Sequence, residues 1–198
     1  FRYDQKRQQL GYKYWGVFPH QVVDRHHPLV SGVNTRFDIP HSRFNAISET
    51  QFEKAGVKIL AKSAEGVHLA VSPDLFRLVF FQGHPEYDTV SLLKEYKREV
   101  LLFLQGERDE YPPMPDNYLS AQNQAILNEY QTKLSTGKMT IKDFPESLIA
   151  ETLDNTWHDS TTAIINNWIG CVYQVTHEEI DKPFMDGINP QDPLGLKG

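Results

Sequence analysis

The stretch that most restricts what this chain can become is residues 77–106, "RLVFFQGHPEYDTVSLLKEYKREVLLFLQG". Its opening "RLVFFQ" is almost continuously apolar, as a strand covered on both faces would be. From Thr89 the period changes: Val90, Leu93, Val100, Leu101 and Leu104 fall on one helical face, and Gly106 supplies a stop. A buried strand that hands over to an amphipathic helix through a short polar turn points to an α/β architecture. In open α/β sheets ligands bind at that carboxyl edge. The connecting residues Gly83-His84-Pro85-Glu86-Tyr87-Asp88 are therefore where chemistry is expected.

Proline disfavours the helical conformation for the residue before it, so His84 is pushed toward an extended backbone. Alternate residues of an extended chain point the same way, which places His84 and Glu86 on one side. Histidine serves as a general base because its proton affinity lies near working pH. A base held by a carboxylate is two parts of a nucleophile–base–orienter triad. The competing reading is structural: acidic residues favouring a helix dipole, with the histidine ending the strand.

Three further strands are expected, at "YWGVF" (14–18), "VKILAKS" (57–63) and "GVHLAVS" (66–72). The last two alternate apolar and polar residues and are joined by "AEG", a hairpin signal. Residues 107–118, "ERDEYPPMPDNY", form a Pro-rich acidic connection that no helix interior tolerates. Helices follow near 119–134 and 143–154, and a last one runs from Ser160 to Val175 with Ile164, Ile165, Trp168, Cys171 and Val172 on its apolar side. The turn-rich tail "INPQDPLGLKG" is expected to be loose.

At 198 residues the chain fits one domain with a real core. No apolar stretch approaches the ~20 residues needed to span a membrane, and a net charge of -6 argues against nucleic acid as a partner. The single cysteine excludes an intramolecular disulfide and fits a reducing cytoplasm. His20, His26 and His27 in "HQVVDRHHP" have no supporting cysteine and match no zinc spacing, so they read as loop histidines and no metal is expected. His41 reads as shaping the loop that holds Ser42.

"GHPEYD" resembles the His-Pro-Glu element of the class I glutamine amidotransferase-like superfamily. Within it, "KYWGVF" with His20 and Val22, "HPLVSGVNTRFDIPHSRF", "FFQGHPEYD" with "LLKEYKREV", and "NWIGCVYQVT" resemble the homoserine O-acyltransferases in order and spacing. These stretches span most of the chain except residues 107–156, which are expected to be a family-variable helical insertion. The resemblance implies a flavodoxin-like α/β sandwich of the glutamine amidotransferase type, of which this chain is the C-terminal portion, with extra C-terminal helices. It also implies a likeness to cytoplasmic, homodimeric enzymes of methionine biosynthesis that use L-homoserine and acyl-CoA as substrates and no bound cofactor.

Carried over by position, His84 matches the family's general base and Glu86 the carboxylate that orients it. Lys13, Ser42 and Arg98 match its amino-acid-binding positions. A guanidinium and an ammonium suit the carboxylate of homoserine, and a serine hydroxyl suits its polar groups. Taken alone, Lys13 reads as a solvated surface lysine, Ser42 as a turn residue, and Arg98 as a surface partner of Glu95; only the resemblance singles these three out. The family's acyl-carrying cysteine would fall just ahead of Phe1. The chain opens without Met and with one aliphatic residue in its first sixteen, so it reads as the C-terminal part of something longer. Cys171 lies mid-helix among apolar residues and reads as core packing. Acetyl and succinyl donors, and homoserine and serine acceptors, stay open. Two rival functions share the same residues: a glutaminase domain of the same superfamily, and a catalytically incomplete binding subunit.

Overall fold

The computed structural model describes residue 3, residues 5–179 and residues 181–197. Its centre is a five-stranded antiparallel sheet: β1 (Gln8–Val22), β2 (Arg36–Ala46), β3 (Lys58–Ser63), β4 (Gly66–Val71) and β5 (Val79–Phe81), in the order β2-β1-β3-β4-β5. Helices α1 (Glu49–Lys54), α2 (Ser91–Leu104), α3 (Ala121–Ser135), α4 (Glu146–Ala150) and α5 (His158–Val175) surround it, so the described chain is a mixed α/β fold. The hairpin at "AEG" is present, with Ser63 opposite Gly66. Helix α2 ends as its sequence indicates, with Gly106 at φ 73°.

Other expectations need correction. "RLVFFQ" is not a doubly covered strand: β5 is three partly exposed residues at one edge of the described sheet, paired only with β4. Residues 36–46 are not a loop but strand β2, at the opposite edge. Pro40 lacks a donor and is tolerated there because an edge strand needs no second partner. His20 and His41 are consequently buried strand residues, and His27 is a buried cap on a 3₁₀ turn at Pro28–Val30, leaving His26 as the exposed loop histidine. The stretch 143–154 splits into a 3₁₀ turn at Ile141–Asp143 and the short α4. Leu104 is exposed, and the inward face of α2 is Leu92, Leu93, Tyr96 and Val100. The tail is docked: Ile188 and Leu194 pack against the main core.

One large apolar core joins the sheet to α2, α3, α4 and α5 through Trp15, Leu69, Leu93, Leu127, Ile149, Trp157 and Ile164. A smaller one lies under α1. The 107–118 connection is tied to the middle of β1, where Val17 N–H donates to Asp116 O at 2.8 Å and Asp116 N–H donates to Trp15 O at 3.0 Å. Gly16 makes this approach possible: a Cβ there would lie 2.2 Å from Asp116 O.

Candidate active site

Beyond β5 the backbone of residues 82–84 is held donor by donor. Gln82 N–H donates to His68 O at 2.9 Å and His84 N–H to Pro40 O at 2.8 Å. Tyr87 N–H then donates to His84 O at 3.2 Å, closing a turn with Pro85 in its second position, where the fixed proline φ fits. His84 and Glu86 thus meet through a turn and not through extended alternation. The Nδ1–H of His84 donates to Glu86 Oε1 at 2.8 Å, which leaves Nε2 with its lone pair free. Helix α2 begins only at Ser91 and has no acidic residue in its first turn. Glu86 stands five residues ahead of the helix and pairs with His84 instead of the α2 N-terminus. From behind, Trp157 Nε1–H donates to Tyr87 O at 2.8 Å and Tyr118 Oη–H to Thr89 O at 2.6 Å. The pair is open to solvent. A groove of about 680 Å³ starts at Pro85 and Glu86 and runs past Thr89, Asn155 and His158.

The ring of His84 stacks on Tyr87 with centroids 4.3 Å apart, and Tyr87 carries the connection onward. Its hydroxyl donates to Glu95 Oε1 at 2.5 Å. Ser42 Oγ–H donates to Glu95 Oε2 at 2.6 Å, and Lys13 Nζ lies 3.5 Å from the same oxygen. Burial alone would raise the Glu95 carboxyl, but the hydrogen bonds from Ser42 and Tyr87 and the charge of Lys13 outweigh it and hold its pKa below the ordinary value. Burial and the neighbouring Glu95 push the Tyr87 phenol upward, so it stays a donor.

Local structure explains how Lys13 reaches this point. The β1–β2 register shifts between Gln9 and Tyr14, and Lys13 lies in that bulge, which re-aims its side chain. Two residues on, Trp15 pairs with Ser42, and the Lys13 ammonium rests 3.9 Å from the centroid of the Trp15 ring. Only 14% of the Lys13 side chain is exposed, so it is not a solvated surface lysine. Ser42 is a strand residue and not a turn residue. Arg98 stands at the rim, 63% exposed, with Nη2 3.8 Å from Glu99 Oε1, and Lys13 reaches the same oxygen at 3.4 Å. The expected Glu95–Arg98 surface pair is absent among the described residues, because Glu95 faces inward.

His84, Glu86, Lys13 and Ser42 are thus drawn into one connected cluster, with Arg98 at its edge. Sequence reasoning missed Tyr87 and Glu95, which join its halves. Glu95 sits eight residues past Tyr87 on the α2 side, within a charged run that looks solvated. The signal that it faces inward is its place one residue before the buried Tyr96. Cys171 is buried on α5, where burial raises its thiol pKa; that is the environment of an inert thiol. Among the described residues no cluster of His, Cys, Asp or Glu is arranged to hold a metal ion.

The described chain is a mixed α/β fold that carries a carboxylate-paired histidine on an exposed turn, linked through Tyr87 to the Glu95–Ser42–Lys13 cluster. The chain belongs to the homoserine O-succinyltransferase family, whose model matches residues 1–178. It is 61% identical over its whole length to the homoserine O-succinyltransferase of Nitrosococcus oceani, of which it covers 56%. It is 57% identical to that of Methylobacter tundripaludum and 58% identical to that of Allochromatium vinosum, covering 98% and 99% of this chain and 56% of each relative. The chain spans about half the length of the curated relatives it matches. No helix among the described residues is long and apolar enough to cross a membrane.

Proposed function

We propose that the full-length protein transfers a succinyl group from succinyl-CoA to the hydroxyl of L-homoserine, in methionine biosynthesis, and that this chain supplies the base and the amino-acid site. The observation that carries the reading is the unbroken series Glu86–His84–Tyr87–Glu95–Ser42/Lys13, which links a carboxylate-held imidazole to a part-buried cluster of both signs of charge. An amino-acid acceptor is a zwitterion. Lys13 and Arg98 take its carboxylate, Glu95 with Ser42 takes its ammonium, and the hydroxyl at the end of the side chain lies toward His84. His84 Nε2 removes the hydroxyl proton as that oxygen attacks the acyl carbon of a thioester. The ester C–O bond forms, the C–S bond breaks, and the departing thiolate recovers the proton from the imidazolium that Glu86 stabilises. The thiolate that carries the acyl group belongs to the part of the relatives' length outside this chain. There the five antiparallel strands join a flavodoxin-like sandwich of the glutamine amidotransferase type, and the enzyme is a cytoplasmic homodimer.

His84→Ala in the full-length protein lowers turnover with homoserine and succinyl-CoA by roughly 10²–10⁴-fold, with the thermal midpoint retained. Near-normal turnover in that variant overturns the assignment of the base. Faster turnover with acetyl-CoA than with succinyl-CoA overturns the donor, and glutamine hydrolysis in place of acyl transfer overturns the function.

A further inference from the structure

Three histidines outside this mechanism lie together beneath the catalytic turn. His20 on β1, His41 on β2 and His68 on β4 are all buried. The rings of His20 and His41 stack with centroids 5.1 Å apart, and His68 lies 5.1 Å from His20 and 6.0 Å from His41. Their hydrogen bonds run in one direction. Arg43 Nε–H donates to His41 Nδ1 at 3.2 Å, so the His41 proton sits on Nε2, which donates to His20 Nε2 at 3.3 Å. His20 in turn donates from Nδ1 to Phe18 O at 2.8 Å. Every link in that series is satisfied by an uncharged imidazole in one tautomer. His68 stands beside it and does a different job. Its Nδ1 accepts from the buried Gly83 N–H at 3.3 Å, while its Nε2–H finds no partner among the described residues.

Gly83 precedes the catalytic histidine, and its surroundings leave no slack. A Cβ at Gly83 would lie 2.4 Å from Ile39 Cγ2 and 2.9 Å from His41 Nε2. The three consecutive donors of Gln82, Gly83 and His84 thus end on the His68 carbonyl, the His68 ring and the Pro40 carbonyl. An apolar side chain at 68 fills the same space and leaves the Gly83 donor with nothing to bind. The His68 ring thus gives a buried donor its acceptor and holds the peptide before His84 in one orientation.

We propose that His68, locked in place by the His20–His41 pair, is a positioning residue that fixes the Gly83–His84 peptide and so aims the His84 ring at Glu86 and at substrate. The inference rests on the acyl-transfer reading for its kinetic consequence but not for its structural one. In the full-length protein, His68→Leu lowers kcat roughly 10- to 100-fold and leaves KM for homoserine within about twofold. His68→Asn, whose amide oxygen stands in for Nδ1, recovers most of kcat. Two measurements stand without activity. On the unmodified protein the Gly83 amide exchanges its hydrogen far more slowly than the exposed Glu86 amide. By ¹⁵N NMR, His84 Nδ1 keeps its proton in His68→Asn and loses tautomer order in His68→Leu. A Gly83 amide that exchanges as fast as Glu86, or Leu and Asn variants that behave alike in folded protein, overturns the proposal. An unmodified protein without acyl transfer but with a protected Gly83 and an ordered His84 proton overturns the proposed function alone.

Discussion

Glu95 is the residue on which the two halves of the site meet, and its carboxylate takes hydrogen bonds from Ser42 and Tyr87 while facing Lys13. A hydrogen bond to a charged group contributes about 1.5–3 kcal/mol. Glu95→Gln keeps the shape and removes the charge, so KM for homoserine rises roughly 10- to 100-fold, with a smaller fall in kcat as Tyr87 loosens. Steady-state kinetics on the full-length protein check this, and an unchanged KM would show that Glu95 has no part in holding the acceptor. His84 and Glu86 were legible in the sequence because Pro85 ties two titratable groups into one local motif. Tyr87 and Glu95 were not, because their partners lie on other elements: Ser42 is 53 positions from Glu95 and Lys13 is 82. Residue type and local spacing carry no information about such encounters.

At the scale of elements, the same distinction separates what could be read from what could not. The β3–β4 hairpin and α2 announce themselves through periodicity and turn residues. Helix α1 also carries a local signal, a capping box between Ser48 and Gln51, but at six residues it is too short to show a helical period. Strand β2 was hidden by Pro40 and by the polar residues toward its end, and only its pairing with β1 makes it a strand. The tie between β1 and the 107–118 connection was equally invisible, since it depends on a missing side chain. Gly16 stands at φ 146°, and any Cβ there would overlap the Asp116 backbone. Gly16→Ala forces the connection off the strand and lowers stability by about 1–3 kcal/mol. Urea unfolding measures this as a lower midpoint with little change in slope, and an unchanged midpoint would mean the contact is not made.

Across the whole molecule, buried imidazoles set how the protein meets acid. His20, His27, His41 and His68 all have pKa values below the ordinary 6.5, in each case first through burial, with Arg43 adding to it for His20, His41 and His68. The hydrogen bond to the Phe18 carbonyl with Glu65 and Asp38 for His20, and the hydrogen bond to the Leu75 carbonyl with Asp24 for His27, offset it only in part. A histidine held neutral in the fold and free to protonate when unfolded gives full stability above pH 6.5 and loses it as pH falls toward the lower native value. Each such group contributes a slope of up to about 1.4 kcal/mol per pH unit. Asp74 adds nothing in that window. Its carboxyl, opposed by burial, is lowered from 3.8 to about 2 by Ser72, Arg77 and the Phe76 amide, so its contribution fades only in stronger acid. The urea midpoint of the full-length protein therefore falls steadily from pH 7 to pH 5, and a flat profile would contradict the burial of these rings. The stacking of His84 on Tyr87 also has a consequence for redesign. Because one phenol ring stacks on the His84 imidazole and also holds Glu95, on the proposed function any change around Glu95 that admits a new alcohol disturbs the His84 ring too. Acceptor choice and speed will have to be evolved together.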